Sequence, residues 1–203
     1  MRRNRFRFFI LMLMLAVNVA LVAVAWQVLS TRRAGTGSRS VDAAHSAQAA
    51  GTARGAYALA EPVAVEWAGD ARLVRARGDW PEGTFNRQLA SWVFVFYSAE
   101  RGETAQITVQ SGKVQVVDSG PTTAQLALQP PSEWQVDSDA IVESFLDSAG
   151  GELFLDERSN VSMVLSLSLD GSATWTATLI DWDTGELMRR DFNAKDGYLA
   201  TGV

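Results

Sequence analysis

The chain has 203 residues, a formal net charge of −5 and no cysteine. The lack of cysteine excludes disulfides, thiol nucleophiles, thiolate metal sites and iron–sulfur clusters. Residues 1–56 hold eight arginines and one aspartate, whereas residues 57–203 hold ten basic and twenty-two acidic residues, a net charge of −12. So acidic a domain argues against nucleic-acid binding through a basic face, and it fits cation binding or, more simply, solubility.

An almost unbroken apolar run extends from Phe8 to Leu29. It follows a tail, residues 1–7, that carries four arginines and no acidic residue. At about 1.5 Å per residue, a helix of this length spans roughly 33 Å, which matches the hydrocarbon core of a bilayer. Because positively charged flanks stay in the cytoplasm, we expect a single-pass signal anchor over residues 8–29. The rest of the chain would then lie outside the cytoplasm, at the cell membrane.

A cleaved secretory signal is the alternative interpretation of the same segment. Residues 23–25 read Ala-Val-Ala, which is a plausible cleavage site. The apolar run is longer than the roughly 7–15 residues that are usual in such signals, which favours a retained anchor. Both interpretations export the following residues, and they differ only in whether the product is anchored or secreted.

Residues 30–56 are rich in Ala, Gly, Ser, Thr and Arg and nearly lack large apolar residues. Such a composition cannot bury enough surface to offset the entropy of ordering the chain, so we predict a flexible linker. The linker contains His45, the only histidine. A flexible segment cannot hold a catalytic base beside its nucleophile, and no other histidine or cysteine could complete a zinc site. We therefore predict neither a catalytic role for His45 nor a metal site.

Residues 57–120 form the first of two related halves, each predicted to be a helix followed by antiparallel strands. The first helix is predicted within residues 60–78, with Pro62 in its first turn, where proline is tolerated, and Gly78 as its stop. Its buried positions at helical spacing would be Val63, Trp67, Ala71 and Val74. Content of β-branched and aromatic residues then predicts strands over 91–98, 104–110 and 113–118.

Residues 121–133 are predicted to be an extended crossover to the second half, residues 134–203. Asp137 or Ser138 is the predicted cap of the second helix, which we expect to end at Gly150-Gly151. The buried stripe of this helix is predicted to be Ile141, Val142, Phe145, Leu146 and Ala149. Alternating apolar and polar residues predict strands over 161–169, 174–181 and 186–192. The pattern indicates an α+β fold, in which an N-terminal transmembrane helix precedes tandem helix-plus-antiparallel-sheet modules.

Three features stand out in the second half: Asp139-Ala140 near the helix start, Trp175 at the start of a strand, and the closing run Phe192–Tyr198, FNAKDGY. With the order of helix and strands, they resemble the PepSY-like family, and the resemblance covers roughly residues 57–203. The closing run is similar to the Asp-Ala-x-Thr-Gly-Glu-like ending of the family, with Asn193 and Asp196 as departures. The resemblance implies two degenerate copies with a cystatin-like fold. It also implies a module, of the kind found in peptidase propeptides and anchored envelope proteins, that inhibits or binds instead of catalysing.

Paired carboxylates are the remaining candidates for hydrolytic chemistry. Asp139, Glu143 and Asp147 share one face of the second helix, opposite its buried stripe, so we interpret them as a solvated face. The segment Asp181–Glu186 has some features of a calcium loop, but it lacks the third oxygen ligand before its Gly and the Glu at position twelve. A hairpin turn explains this segment better.

Six tryptophans follow the linker. Trp67, Trp92 and Trp175 fit core positions by their periodicity, whereas Trp80 and Trp182 lie in or beside turns and are predicted to be exposed. An exposed tryptophan can stack on a sugar or anchor a peptide, so Trp80 and Trp182 are the candidate binding residues.

We therefore expect a non-catalytic module of the cell envelope, outside the cytoplasm and without a cofactor. It would bind or inhibit a partner such as an envelope protein, a peptide or a peptidase, through an edge strand or the tryptophan loops. Three alternatives stay open. They are a carboxylate-dependent hydrolase of envelope polysaccharide, a sensory or scaffolding role through the membrane helix, and a secreted binding module if the N-terminal segment is cleaved.

Overall fold

The computed structural model describes residues 39–40, 51–80, 91–158 and 160–200. The predicted anchor over residues 8–29 and His45 lie outside these ranges. Within them, no helix is both long enough and apolar enough to span a membrane.

The described ranges form eight strands, three α-helices and one 3-10 helix. The strands are β1 (Arg39–Ser40), β2 (Arg72–Trp80), β3 (Ser91–Ser98), β4 (Glu103–Gln110), β5 (Lys113–Pro121), β6 (Val161–Ser168), β7 (Thr174–Asp181) and β8 (Leu187–Asn193). The α-helices are α1 (Ala53–Trp67), α2 (Ser138–Ser148) and α3 (Gly151–Asp156), and the 3-10 helix is Pro131–Glu133. The predicted α+β class is confirmed.

All eight strands belong to one antiparallel sheet, in the order β1-β5-β4-β3-β2-β6-β7-β8. The two halves meet where β2 pairs with β6, over six residue pairs from Arg75–Ser168 to Trp80–Met163. The helix-plus-strand halves therefore share one continuous sheet, with β2 and β6 at its centre.

The core lies on the face of the sheet that α1 and α2 cover. Side chains alternate along each strand, so Trp92, Phe94 and Phe96 of β3 point to this face and are buried. The same buried face continues across the centre of the sheet, because Ala76 of β2 pairs with Phe94 of β3 on one side and with Leu167 of β6 on the other. Residues of both helices and of every strand from β2 to β8 pack into this single hydrophobic cluster.

The second half follows the predicted pattern closely. Strand β7 has the predicted bounds, and α2 begins after Asp137 as its N-cap. Ile141, Val142, Phe145 and Leu146 are buried, and Ala149 is half-buried against the core. Gly150 ends α2 with a φ of 82°, a left-handed conformation that favours glycine. Gly151, which was predicted to be part of the helix stop, instead begins α3.

The prediction for the first helix is wrong at both ends. Helix α1 begins at Ala53 after the N-cap Thr52, so residues 53–56 belong to the helix and not to the linker. Pro62 lies inside the helix and not in its first turn. The residues that α1 buries are small, namely Ala53, Ala56, Ala60 and Ala64. A stripe of alanines lets a helix approach a sheet closely, but in the sequence it resembles the composition of a linker.

The stretch before Gly78, predicted to be the end of the first helix, is instead strand β2. An irregularity between Leu73 and Arg75 breaks the pairing with β3, so Leu73 and Val74 are both buried. This bulge interrupts the alternation of apolar and polar residues along β2. The resulting spacing of apolar residues resembles that of a helix. The strand ends at Trp80, which is buried.

The N-termini of α1 and α2 meet at Asp137 and Ser138. Ser138 Oγ accepts a hydrogen bond of 2.9 Å from the N–H of Ala53. Asp137 Oδ1 accepts bonds from the N–H groups of Arg54, at 3.0 Å, and of Ser138, at 2.7 Å. One carboxylate thus lies at the positive ends of two helix dipoles and fixes the two helices relative to each other.

Gly78 gives a direct test of this packing. A Cβ at Gly78 would lie 2.8 Å from Cη2 of Trp92, a side chain that is fully buried and cannot move aside. We therefore expect Gly78→Ala to lower the free energy of unfolding by about 1–3 kcal/mol, measured by chemical denaturation of the full-length protein in detergent. The control is Gly120→Ala in β5, where a Cβ meets nothing within 4 Å. Equal stability of the two variants would contradict the packing.

Candidate functional site

The outer edge of β8 is only partly covered in the described structure. After a turn with Gly197 at a φ of 76°, the chain folds back and Leu199 forms an isolated antiparallel bridge with Phe192. The N–H of Ala200 donates to the carbonyl of Asp191 at 2.8 Å. Among the described residues, none pairs with the outer side of Leu187–Arg190.

The backbone groups of this uncovered stretch point outward. The carbonyl of Asp191 faces away from β7, because it accepts the hydrogen bond from Ala200. Backbone direction alternates along a strand, so the N–H and C=O groups of Leu187 and Arg189 face the same way. We call residues Leu187–Arg190, with these outward groups, the open edge. An exposed edge of this kind is a template for another strand.

In the first half of the molecule, the strand that corresponds to β8 has a neighbouring strand along its whole length. Strand β4 corresponds to β8, and β5 pairs with it over its whole length, from Glu103–Pro121 to Gln110–Lys113. In the second half, the counterpart of β5 is the short return of residues 198–200. In the part of the chain that the structure describes, β4 is therefore covered completely and β8 only at its C-terminal end.

Exposed apolar side chains concentrate around this edge. Seven large apolar side chains of the described residues are exposed, and five of them lie on or beside β8: Leu153, Trp182, Leu187, Tyr198 and Leu199. Exposed apolar surface that collects at one place is a feature of protein interaction sites.

A groove of about 380 Å³ lies between α3 and the open edge. Its apolar lining includes Leu153, Phe154 and Met188, and its charged lining is Glu157, Arg158, Arg189 and Arg190. Arg190 extends from the same side of β8 as Met188, towards the helices, because Arg190 pairs with the buried Ala177 and Met188 with the buried Leu179. The groove thus combines apolar side chains with three guanidinium groups.

The cations of the groove differ in their partners. Arg158 forms ion pairs with Glu157, Glu186 and Asp181, and Arg189 lies 3.3 Å from Asp191. Arg190 donates to the backbone carbonyl of Arg189 at 2.8 Å. In the described part of the chain, no carboxylate lies within ion-pairing distance of Arg190.

The turn between β7 and β8 is held by a buried carboxylate. Asp181 is 2% exposed and accepts hydrogen bonds from Thr184 Oγ1 at 2.8 Å and from the N–H of Asp183 at 2.9 Å. Arg158 Nε lies 3.4 Å from Asp181 Oδ2. The Thr184 hydroxyl, then the Asp183 N–H and the charge of Arg158, lower the pKa of Asp181 below its usual value. This arrangement fixes the position at which the open edge begins.

The two predicted binding tryptophans have different outcomes. Trp182 is 61% exposed, and its indole N–H donates to Ser162 Oγ at 2.8 Å, which fixes the ring beside the row formed by Ser162, Ile180 and Leu187. Trp80 is only 3% exposed and packs edge-to-face on Trp92, with ring centroids 5.9 Å apart. The prediction that Trp80 is exposed is therefore wrong, because Trp80 is the inward-facing last residue of β2.

The remaining tryptophans predicted to be in the core lie mostly where expected. Trp92 and Trp175 are fully buried, each near the start of its strand. Trp67 is half-buried, and the guanidinium of Arg101 lies 5.2 Å from its ring centroid.

The acidic candidates form no paired site. Asp139, Glu143 and Asp147 are exposed on α2, which confirms the predicted solvated face. The Asp181–Glu186 segment is the predicted turn. Over the ranges that the structure describes, no group of three or more His, Asp or Glu side chains is arranged to hold a metal ion.

A second pocket, of about 440 Å³, lies at the junction of the helix N-termini. It is lined by Arg54, Tyr57, Pro131, Ser132, Trp134 and Gln135. The polar groups of Arg54 and Tyr57 have internal partners, since Arg54 donates to the carbonyl of Trp134 and Tyr57 donates to Glu61 at 2.7 Å. Burial, with the neighbouring Glu61, raises the pKa of Tyr57. These contacts join the helices, so we assign this pocket a structural role.

Comparison of the chain with protein-family models, curated proteins and solved structures gave no match.

The sequence pattern predicted the exposure of Trp182 but not the open edge beside it. Leu153, Leu187 and Arg190 carry no motif, and their role depends on which strand ends the sheet. Strand order, which no local pattern in the sequence gives, places β8 at the side of the sheet.

The buried carboxylate makes the stability of the protein depend on pH. Because folding lowers the pKa of Asp181, its ionised form stabilises the fold above the unfolded pKa of about 3.9, and this contribution is lost as pH falls through the folded pKa. We expect Asp181→Asn to lower Tm at pH 7, and the difference from the wild type to shrink below about pH 4. The control is Asp139→Asn, at an exposed position. A difference that does not change with pH would contradict this role.

Proposed function

We propose that this protein is a membrane-anchored, non-catalytic binding module of the cell envelope, and that it binds an extended segment of a partner protein by strand addition to the open edge of β8. Strand addition obtains affinity from main-chain hydrogen bonds and specificity from pockets for alternate side chains. At the open edge, the outward backbone groups of Leu187 and Arg189 would form the main-chain hydrogen bonds, and the groove beside α3 would receive side chains of the partner.

The observation that carries this proposal is the difference between the two halves. In the first half an antiparallel strand covers the whole of β4, whereas among the described residues of the second half only the return of residues 198–200 covers the end of β8. The rim of exposed apolar side chains, which includes Trp182 and Leu187, lies where the additional strand would be.

The location and the absence of catalysis rest on the sequence. The apolar segment 8–29 and the arginines before it support an anchor with the domain outside the cytoplasm. The resemblance to PepSY-like modules supports binding or inhibition of an envelope protein or peptidase, without a cofactor. The net charge of −12 over residues 57–203 makes nucleic acid an unsuitable partner.

Site-specific photo-crosslinking tests the proposal in the membranes of cells that naturally produce the chain. A photoreactive residue at Leu187, which is 65% exposed, should give an adduct of defined mass with a partner. The same residue at Val117, which is 55% exposed on β5 at the other side of the sheet, should not.

A pair of variants at one position separates the backbone from the side chain. Arg189→Pro removes an outward N–H and blocks strand addition, but it leaves the β7–β8 hydrogen bonds in place. We expect Arg189→Pro to abolish the adduct at Leu187 and Arg189→Ala to retain it. An adduct that survives Arg189→Pro, equal adducts at Val117, or no adduct at Leu187 would refute strand addition as the function.

A further inference from the structure

We infer that one face of the sheet lies on the anionic headgroups of the membrane in which the chain is anchored. We call this side the arginine face. It is opposite α1 and α2, and it carries Arg72, Arg75 and Arg77 of β2. The inference goes beyond strand addition at β8, and it shares with the proposed function only the anchor over residues 8–29. The occupant is a phospholipid surface of negative charge.

The register of the sheet places these three arginines on the side away from the core. Side chains alternate along a strand, and the buried aromatic residues of β3 point to the helices. The intervening residues of β3 therefore point the other way. Each of them pairs with one arginine of β2: Val93 with Arg77, Val95 with Arg75 and Tyr97 with Arg72. The three helices pack on the opposite side, where their apolar residues join the hydrophobic cluster.

Two of the three arginines have no carboxylate partner among the described residues. Arg77 forms an ion pair with Asp79 at 2.8 Å. Arg72 makes one long contact, of 3.5 Å, with the carbonyl of Leu128. Arg75 is exposed and makes no hydrogen bond or ion pair in the described part of the chain. The guanidinium groups of Arg72 and Arg75 are therefore available to phosphate oxygens, which arginine binds through two parallel hydrogen bonds.

Charge is distributed unevenly between the two sides of the domain. The three helices carry seven acidic residues and one arginine. The described strands place five basic residues and three acidic residues on the arginine face: Arg72, Arg75, Arg77, Lys113 and Arg189 against Asp79, Asp118 and Asp191. Two of these acids are already in ion pairs, Asp79 with Arg77 and Asp191 with Arg189. The arginine face is thus complementary in charge to anionic lipid.

The acidic charge of the whole domain does not oppose this contact strongly. The acidic residues of the helices are separated from the arginine face by the sheet and by the helices themselves, and one helix alone is roughly 10 Å thick. This distance exceeds the Debye length of about 8 Å at physiological ionic strength, so salt screens their repulsion from the membrane. The arginines, in contrast, would contact the headgroups directly.

An exposed tryptophan lies on the same side of the sheet. The indole N–H of Trp182 donates to Ser162 Oγ at 2.8 Å. Ser162 precedes the inward-facing Met163 and pairs with Ile180, so its side chain and the indole on it lie on the arginine face. Tryptophan is enriched where membranes meet water, because its ring is largely apolar and its N–H is polar. Trp182 is 61% exposed and thus adds an interfacial side chain to the basic ones.

The covalent connection to the anchor keeps the domain within reach of the headgroups. Nine residues, 30–38, separate the predicted anchor from β1, which pairs with β5 at Lys113 and Val114. Fully extended, nine residues span at most roughly 30 Å. Docking is therefore an intramolecular step, and a tether of this length gives it a high effective concentration. Even a weak attraction between the arginine face and the lipid then suffices.

Fluorescence quenching on lipid nanodiscs tests the inference with the full-length protein. The chain has no cysteine, so one introduced cysteine can carry a fluorophore at a chosen position. Gln106→Cys places it on the arginine face, and Glu143→Cys places it on α2; both positions are exposed. The quencher is a lipid with a nitroxide on its headgroup. We expect quenching at position 106 in nanodiscs of phosphatidylcholine and phosphatidylglycerol, and not in phosphatidylcholine alone. At position 143 we expect little quenching in either.

A charge variant shows whether the arginines cause the docking. We expect Arg75→Gln to lower the equilibrium constant for docking about fivefold, the effect of one basic residue near an anionic membrane surface. The control Arg101→Gln makes the same charge change, but the guanidinium of Arg101 lies against Trp67 of α1, so it should leave the quenching unchanged. Salt at about 1 M, where the Debye length is about 3 Å, should release the arginine face. Circular dichroism of each variant confirms that it is folded.

The outcomes separate this inference from strand addition. Equal quenching at positions 106 and 143, equal quenching with and without phosphatidylglycerol, or unchanged docking in Arg75→Gln would overturn it. If position 106 is shielded from a water-soluble quencher only in the native membranes, the arginine face binds an acidic protein and the lipid inference fails. The Leu187 crosslink tests strand addition independently, because it depends on the side of β8. A chain that does not enter nanodiscs would refute the anchor that both proposals share.

Discussion

The pairing of β2 with β6 is the interaction on which the rest of this structure depends. Its six residue pairs join two helix-plus-strand halves into one sheet, and they bring both helices to the same face. They also determine which strands lie outside. Because the halves meet at their first strands, their last strands lie towards the two sides of the sheet, where β5 is bordered by the two residues of β1 and β8 by the return of residues 198–200. The open edge is therefore a consequence of how the halves are joined.

The two halves share a plan but use different polar chemistry. In the first half, the loop before β2 supplies Asp70, which accepts a hydrogen bond of 2.5 Å from Ser98 at the end of β3. In the second half, the segment before β6 supplies Arg158, which contacts Asp181 at the end of β7. Each pair ties the turn after a central strand to the preceding loop. The halves thus keep the same kind of support with different side chains.

The sequence predicted the second half well because its signals are local. Alternation in β7, the cap Asp137 and the glycine at position 150 each act within a few residues. The prediction for the first half was wrong where packing overrode local signals. Helix α1 buries alanines, and β2 contains a bulge that interrupts its alternation of apolar and polar residues. The prediction that Trp80 is exposed was wrong for the same reason. The open edge could not be predicted, because edge position is a property of strand order and not of any one segment.

Hydrogen exchange at the amides of Leu187 and Arg189 measures the central claim most directly. The full-length protein would be labelled both in the membranes of the cells that produce it and after purification away from other proteins. If a partner strand occupies the open edge, these two amides exchange slowly in the membranes and rapidly in the purified protein, while the amides of β7 stay protected in both. Rapid exchange of Leu187 and Arg189 in both samples would contradict the account.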